Sequence, residues 1–118
     1  MSNPDAMRDA TTGQAIRDIC AAPIKTEAVD VEGMPRPVWV RELTAAEFYA
    51  GLSAHQETAG DDATLGPPQF VALALLDEHR NPVFATAGEA VTARLPLWLV
   101  GSLWPAVGRI NGVTGGNE

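Results

Sequence analysis

"QFVALALLDEHRNPVF", residues 69–84, runs from an apolar stretch straight into five polar residues, Asp77-Glu78-His79-Arg80-Asn81. Whether residues 69–76 form a helix or a strand decides the fold. Ala and Leu outnumber β-branched residues there, and Pro67-Pro68 supplies a helix start, so the favoured reading is a buried helix. The alternative is a buried strand pairing with "PVFA" (82–85) through the Asp77–Pro82 turn. The polar residues raise a second choice. Asp77, Glu78 and His79 contain an acid and a base, but consecutive side chains point in different directions. Asn81-Pro82 favours a turn, and charged residues keep a loop backbone hydrated. The turn reading is preferred over a small enzyme built on Asp77, Glu78 and His79, which would need those side chains to converge in one pocket.

Upstream, "IKTEAVDVEGMPRPVWVREL" (24–43) has two alternating apolar segments. Val29 and Val31 flank Asp30, and Val38 and Val40 flank Trp39. The "EGMPRP" between them predicts a β-hairpin with a long connection whose prolines lie outside the ladder. Val38 and Val40 should face the core. Trp39 and Arg41 then face the other way, with Trp39 covered by another element or a partner. In "LTAAEFYAGLSAHQE", Thr44 and Glu47 form a capping box, and Phe48 and Leu52 extend the apolar face of a helix. "TAGDDATLGPP" is a loop; Asp61 and Asp62, two adjacent acids with no third ligand in reach, read as solvated rather than metal-binding. Residues 1–12 read as a flexible N-terminus. "GQAIRDICAAP" (13–23) predicts a short helix with Ile16, Ile19 and Cys20 on one face, the lone Cys20 reading as a small buried hydrophobe.

Downstream, Thr86 and Glu89 form a second capping box. In "LPLWLVGSLWPAVGRING" (95–112), Leu97, Val100, Leu103, Trp104, Val107 and Ile110 make an apolar stripe at helical spacing. Pro105 should kink this helix, Asn111-Gly112 should stop it, and residues 113–118 read as a flexible tail. Trp98 and Trp104 are separated by about 600° of helical rotation, so both do not easily enter one small core. Core packing is the commoner fate of an aromatic stripe, and the alternative is that one of them sits on a partner surface, where Trp is enriched. Leu97, Trp98, Leu103 and Trp104 are therefore the candidate partner-binding residues. The expected architecture is α+β: an N-terminal hairpin with a small bundle of about four helices, one globular domain over residues 13–112.

Composition narrows the function classes. The 118 residues carry a formal charge of −7, with eleven acids and five bases in residues 1–62 and four acids and three bases after that. Scattered Lys and Arg on an acidic chain give no footprint for nucleic acid or for an anionic membrane. One cysteine excludes an internal disulfide and a cysteine-based zinc cluster. No apolar stretch exceeds about a dozen residues, too short to span a bilayer, and "MSNPDAMRDATTGQ" has no signal-peptide core; the expectation is a soluble intracellular protein. None of the HExxH, G-x-S-x-G, P-loop or G-x-G-x-x-G patterns is present, and no cofactor is implied.

Three segments, "PVWVRELTAAEFYAGL" (37–52), "VALALLDEHRNPVFATAGEAVTARLP" (71–96) and "LWPAVGRINGVTGG" (103–116), resemble the phage tail assembly chaperones of long-tailed siphophages. The shared pattern comprises V-x-V-R-E-L-T-x-x-E at Val38–Glu47, D-x-x-G-N-P-x-F-T at Asp77–Thr86 followed by Glu89, and an amphipathic helix ending at Arg109-Ile110-Asn111-Gly112. Arg80 stands where the family usually has glycine, and the acidic helix start is Gly88-Glu89 rather than an acidic pair. The resemblance implies a non-catalytic phage or prophage protein of the host bacterial cytoplasm, absent from the mature virion. Such a protein binds the tape measure protein, keeps its helices soluble and helps the major tail tube protein polymerise around it. Many members of that family also exist in a longer form made by programmed frameshifting, and Gly115-Gly116 is where the nucleotide sequence would test for one here. A different phage structural or tail-completion protein is the competing reading.

Overall fold

The computed structural model describes residues 4–113, and side chains from residue 11 onward. Its elements are α1 (Pro4–Ala21), β1 (Thr26–Val29), β2 (Val38–Arg41), α2 (Ala45–Ala59), α3 (Pro67–Ala74), β3 (Leu75–Leu76), α4 (Ala87–Thr92) and α5 (Leu97–Asn111). The described residues thus form one α+β domain with five helices and a three-stranded antiparallel sheet in the order β1-β2-β3.

Both readings of the apolar run are realised, one after the other. Residues 67–74 form the helix, and Leu75-Leu76 then turn extended and pair with β2, Val40 opposite Leu75 and Trp39 opposite Leu76. Every residue from Phe70 to Leu76 is buried. No water reaches this backbone, so each peptide group must be bonded within the protein. The helix does this up to Ala74, where the Leu75 amide donates to the Ala72 carbonyl as the helix tightens and ends. Beyond that point the sheet takes over. Pro67-Pro68 start the helix, and the Gly66 amide donates to Gln69 Oε1 (2.9 Å).

The hairpin pairs Thr26 with Arg41 and Val29 with Val38, and both prolines of the connection lie outside the ladder. Val40 is fully buried and Val38 packs against the core, while Val31 enters the core from just beyond β1. On this face α5 crosses β1 and β2, and α3 packs on α5 and β2. The largest side chains without exposure, Val40, Val71, Leu103 and Val107, mark the centre. Each such side chain contributes roughly 1.5–3 kcal/mol by leaving water. A second cluster, Ala72, Leu73, Ala90 and Val91, lies between α3 and α4. There α2 comes close to α3 at Gly51, where an added Cβ would meet Leu73 Cδ1 at 2.5 Å.

Polar side chains tie the rim together. The Thr44–Glu47 capping box forms as expected, with the Glu47 amide donating to Thr44 Oγ1 (3.1 Å) and the Thr44 amide to Glu47 Oε1 (2.9 Å). The same oxygen receives Arg41 Nη1 at 2.8 Å, and Arg41 Nη2 donates to the Leu73 carbonyl (3.3 Å). At Thr86 the helix amide of Glu89 is capped, but Glu89 Oε1 reaches back to the Ala85 amide, one residue beyond the expected partner. Asn111 does more than stop α5. Its Oδ1 accepts from the Leu43 amide (2.7 Å), and its Nδ2 donates to the Arg41 and Val107 carbonyls. Gly112, at φ 72°, closes the helix with its amide bonded to Arg109 and the Val113 amide bonded to Gly108, a Schellman motif. Arg109 pairs with Glu27 across α5 and β1.

The reading of the first helix is corrected. The first helix starts at Pro4, not near Gly13, and stands apart from the sheet and bundle. Consequently Ile16 and Ile19 are exposed and Cys20 is not a buried hydrophobe. The flexible N-terminus drawn over 1–12 lies outside the described residues at 1–3 and falls within α1 from Pro4; the tail over 113–118 lies outside them from residue 114. Pro105, expected to kink α5, lies inside a helix that runs from Leu97 to Asn111. Proline deprives the Gly101 carbonyl of its amide partner, but both residues are exposed, so water can serve that carbonyl.

Two outcomes follow from these ties. Asn111→Ala strips partners from the Leu43 amide and the Arg41 carbonyl, and should cost about 2–4 kcal/mol in urea denaturation. For Glu47, partial burial pushes the pKa up, but the Thr44 amide and the Arg41 guanidinium outweigh it and hold the carboxyl below its ordinary value. A depressed folded-state pKa gives stability that is present above the unfolded value and lost as pH falls through the folded one. Stability should therefore decline below about pH 4.5, and Glu47→Gln should flatten that part of the profile.

Candidate functional site

The polar residues of 77–81 are spent on building a turn. The Arg80 amide donates to the Asp77 carbonyl (2.9 Å) and the Asp77 amide to the Asn81 carbonyl (2.8 Å). This is the bond pattern of a type I turn followed by a G1 bulge, whose last position needs positive φ. Arg80 occupies it at φ 64°, the one non-glycine residue with positive φ among the described residues. Asp77 Oδ1 accepts from the His79 amide (2.8 Å) and the Asn81 amide (3.0 Å). The Asn81 amide, ahead of the His79 amide and ring, lowers the Asp77 pKa and keeps the carboxylate charged. Glu78 and His79 are exposed. The Arg80 guanidinium lies 4.2 Å from the centroid of the Trp39 ring, so the cover expected for Trp39 comes from the turn itself.

The four candidate residues of α5 do not form one surface. Leu103 is fully buried in the core, and Trp104 packs edge-on against Phe70 with ring centroids 5.8 Å apart. Leu97 and Trp98, in the first turn, are 85% and 56% exposed. The tryptophan that meets solvent is therefore Trp98. Leu97, the first residue of the helix, lies at the end of the apolar stripe and is exposed there.

Next to this turn is a feature that the sequence did not reveal. A cleft of about 420 Å³ opens between the hairpin connection, the β3 turn and the start of α5. Leu75 and Leu76 contribute to its floor, and Val38, Phe84, Leu95 and Leu99 line it. Phe84 also borders a second depression of about 260 Å³, which contains the Arg41–Glu47 ion pair and Thr86. The first cleft is apolar because β3 and Val83 bring together residues from four separate segments. Among the described residues no three His, Cys, Asp or Glu side chains come together as a metal site, and no helix is long and apolar enough to cross a membrane.

The turn yields a direct test of strain against cover. Arg80→Ala keeps the unfavourable backbone and loses the contact with Trp39, whereas Arg80→Gly loses the contact but relieves the backbone. The Gly variant should exceed the Ala variant in stability by about 1 kcal/mol in chemical denaturation.

No family model, curated protein or solved structure matches the chain.

Proposed function

We propose that this protein is a phage tail assembly chaperone without catalytic activity. It holds amphipathic helices of a tape measure protein in the host cytoplasm and delivers them for assembly with the major tail tube protein. The observation that carries this reading is the apolar end of α5. Leu97 and Trp98 are exposed on an otherwise acidic domain, in a place where folding alone gives no reason to keep them. A tryptophan beside a leucine on a rigid helix is a suitable anchor for an apolar helix face. The net charge keeps such a surface from self-association through mutual repulsion. The turn at 77–81 supports a binding role over an acid–base one, since the Asp77 carboxylate is held by two amides and Arg80 by the Trp39 ring.

Co-expression with a tape measure protein tests the proposal. The native chain should keep that protein soluble and co-purify with it, and should be missing from purified particles. Leu97→Ser with Trp98→Ser should leave the circular dichroism spectrum unchanged and weaken retention by at least about tenfold. Trp104→Ala should instead lower stability, because its ring packs on Phe70. Undiminished retention by the Leu97/Trp98 double variant defeats the assignment of this surface. Recovery of the chain from purified particles favours a tail-completion protein.

A further inference from the structure

We infer that the 420 Å³ cleft is a seat for an amphipathic helix whose apolar face is flanked by basic residues. The inference rests on the client-binding reading above and adds where the client sits and which charge it carries. Three observations lead to it.

The first is the cleft's position. Its exposed walls include Met34 and Val83, 42% and 48% exposed, and Leu95 and Leu99 on its α5 side bracket Leu97 and Trp98 in sequence. Isolated exposed apolar residues need no explanation, but several around one apolar depression mark an interaction site. The volume suits a few side chains rather than a whole helix, which matches anchors spaced along one face.

The second is the state of the sheet edge. An extended segment binds a cleft beside a strand by continuing the backbone ladder. Here the far side of β3 is already occupied: the Val83 amide donates to the Leu75 carbonyl (3.2 Å), and Leu76 bridges to Pro82. An incoming segment therefore cannot pair with β3, and one that satisfies its own peptide groups suits the cleft. A helix does so.

The third is charge. Asp77 and Glu78 line the cleft against a single base, Arg36, and the connection that carries Met34 also carries the exposed acids Asp30 and Glu32. Asp77 is held in its charged form by the turn amides. Arg80 is directed onto Trp39. With Arg80, which keeps its charge, and the exposed Arg94 beside Leu95 also counted, four acids stand against three arginines, a small negative excess that favours Lys or Arg beside the apolar face. The chain's own α1 carries three acids and two arginines, which makes a second copy of this protein a poor occupant.

Two synthetic helical peptides of about five turns test this, with the same Leu/Ala face flanked by Lys in one and by Glu in the other. Titrated into the full chain with methyl NMR detection, the Lys peptide should bind, shift the methyls of Val38, Leu76 and Leu99, and weaken as salt rises. The Glu peptide should bind at least about tenfold more weakly. Glu78→Lys should reverse that order, and Val83→Ser, at an exposed position, should weaken both. Equal binding of the two peptides, shifts mapping elsewhere, or self-association that blocks the same methyls would each overturn the inference. Neither peptide contains tape measure sequence. Tape measure retention that survives Glu78→Lys and Val83→Ser overturns the cleft assignment while leaving the chaperone reading standing.

Discussion

Everything in this fold depends on how the backbone of Phe70–Leu76 finds its hydrogen bonds. Seven consecutive buried residues leave no option of bonding to water. The helix α3 solves the problem for the first five, and the sheet solves it for Leu75 and Leu76. The switch happens at one residue, Leu75, which is extended at ψ 133°. Because Val40 lies opposite Leu75, the switch also sets where the hairpin sits on the helices. The packing of α5 over β1 and β2 and of α4 on α3 is then built around that junction.

The same pairing shapes the surface. Closing β3 requires a tight return from Asp77 to Val83, and the G1 bulge provides it with Arg80 in a conformation usually left to glycine. The arginine side chain offsets part of that cost by covering Trp39, the one ring of the hairpin that faces away from the core. On the opposite side, the return brings Val83 and Phe84 beside the hairpin connection and the first turn of α5, which creates the apolar cleft. Strain, cover and cleft are thus three consequences of one short turn.

Much of the framework was legible in the sequence because it is local. Alternating valines, two prolines in a connection, two Thr-x-x-Glu caps and a terminal Asn-Gly each act within a few residues. All of them appear in the structure, with small displacements such as Glu89 reaching Ala85 instead of Thr86. Residues 69–76 resisted a single assignment for a physical reason. An apolar run buried on all sides has no period, and here it changes type partway.

The sequence by itself determined the hairpin, the helix caps and the turn at 77–81, because helix ends and tight turns are governed by neighbours along the chain. It also determined the acidic charge and the absence of any recognisable catalytic spacing. The tertiary structure alone decided which apolar residues are surplus to the core. Leu97 and Leu103 share one helical stripe, yet one is bare and the other has no exposure, since burial depends on what lies opposite rather than on periodicity. It also decided that Asn111 bonds the β2–α2 junction and that the hairpin connection, the β3 turn and the start of α5 enclose a cleft. These are contacts between residues far apart in sequence, and no local pattern encodes them.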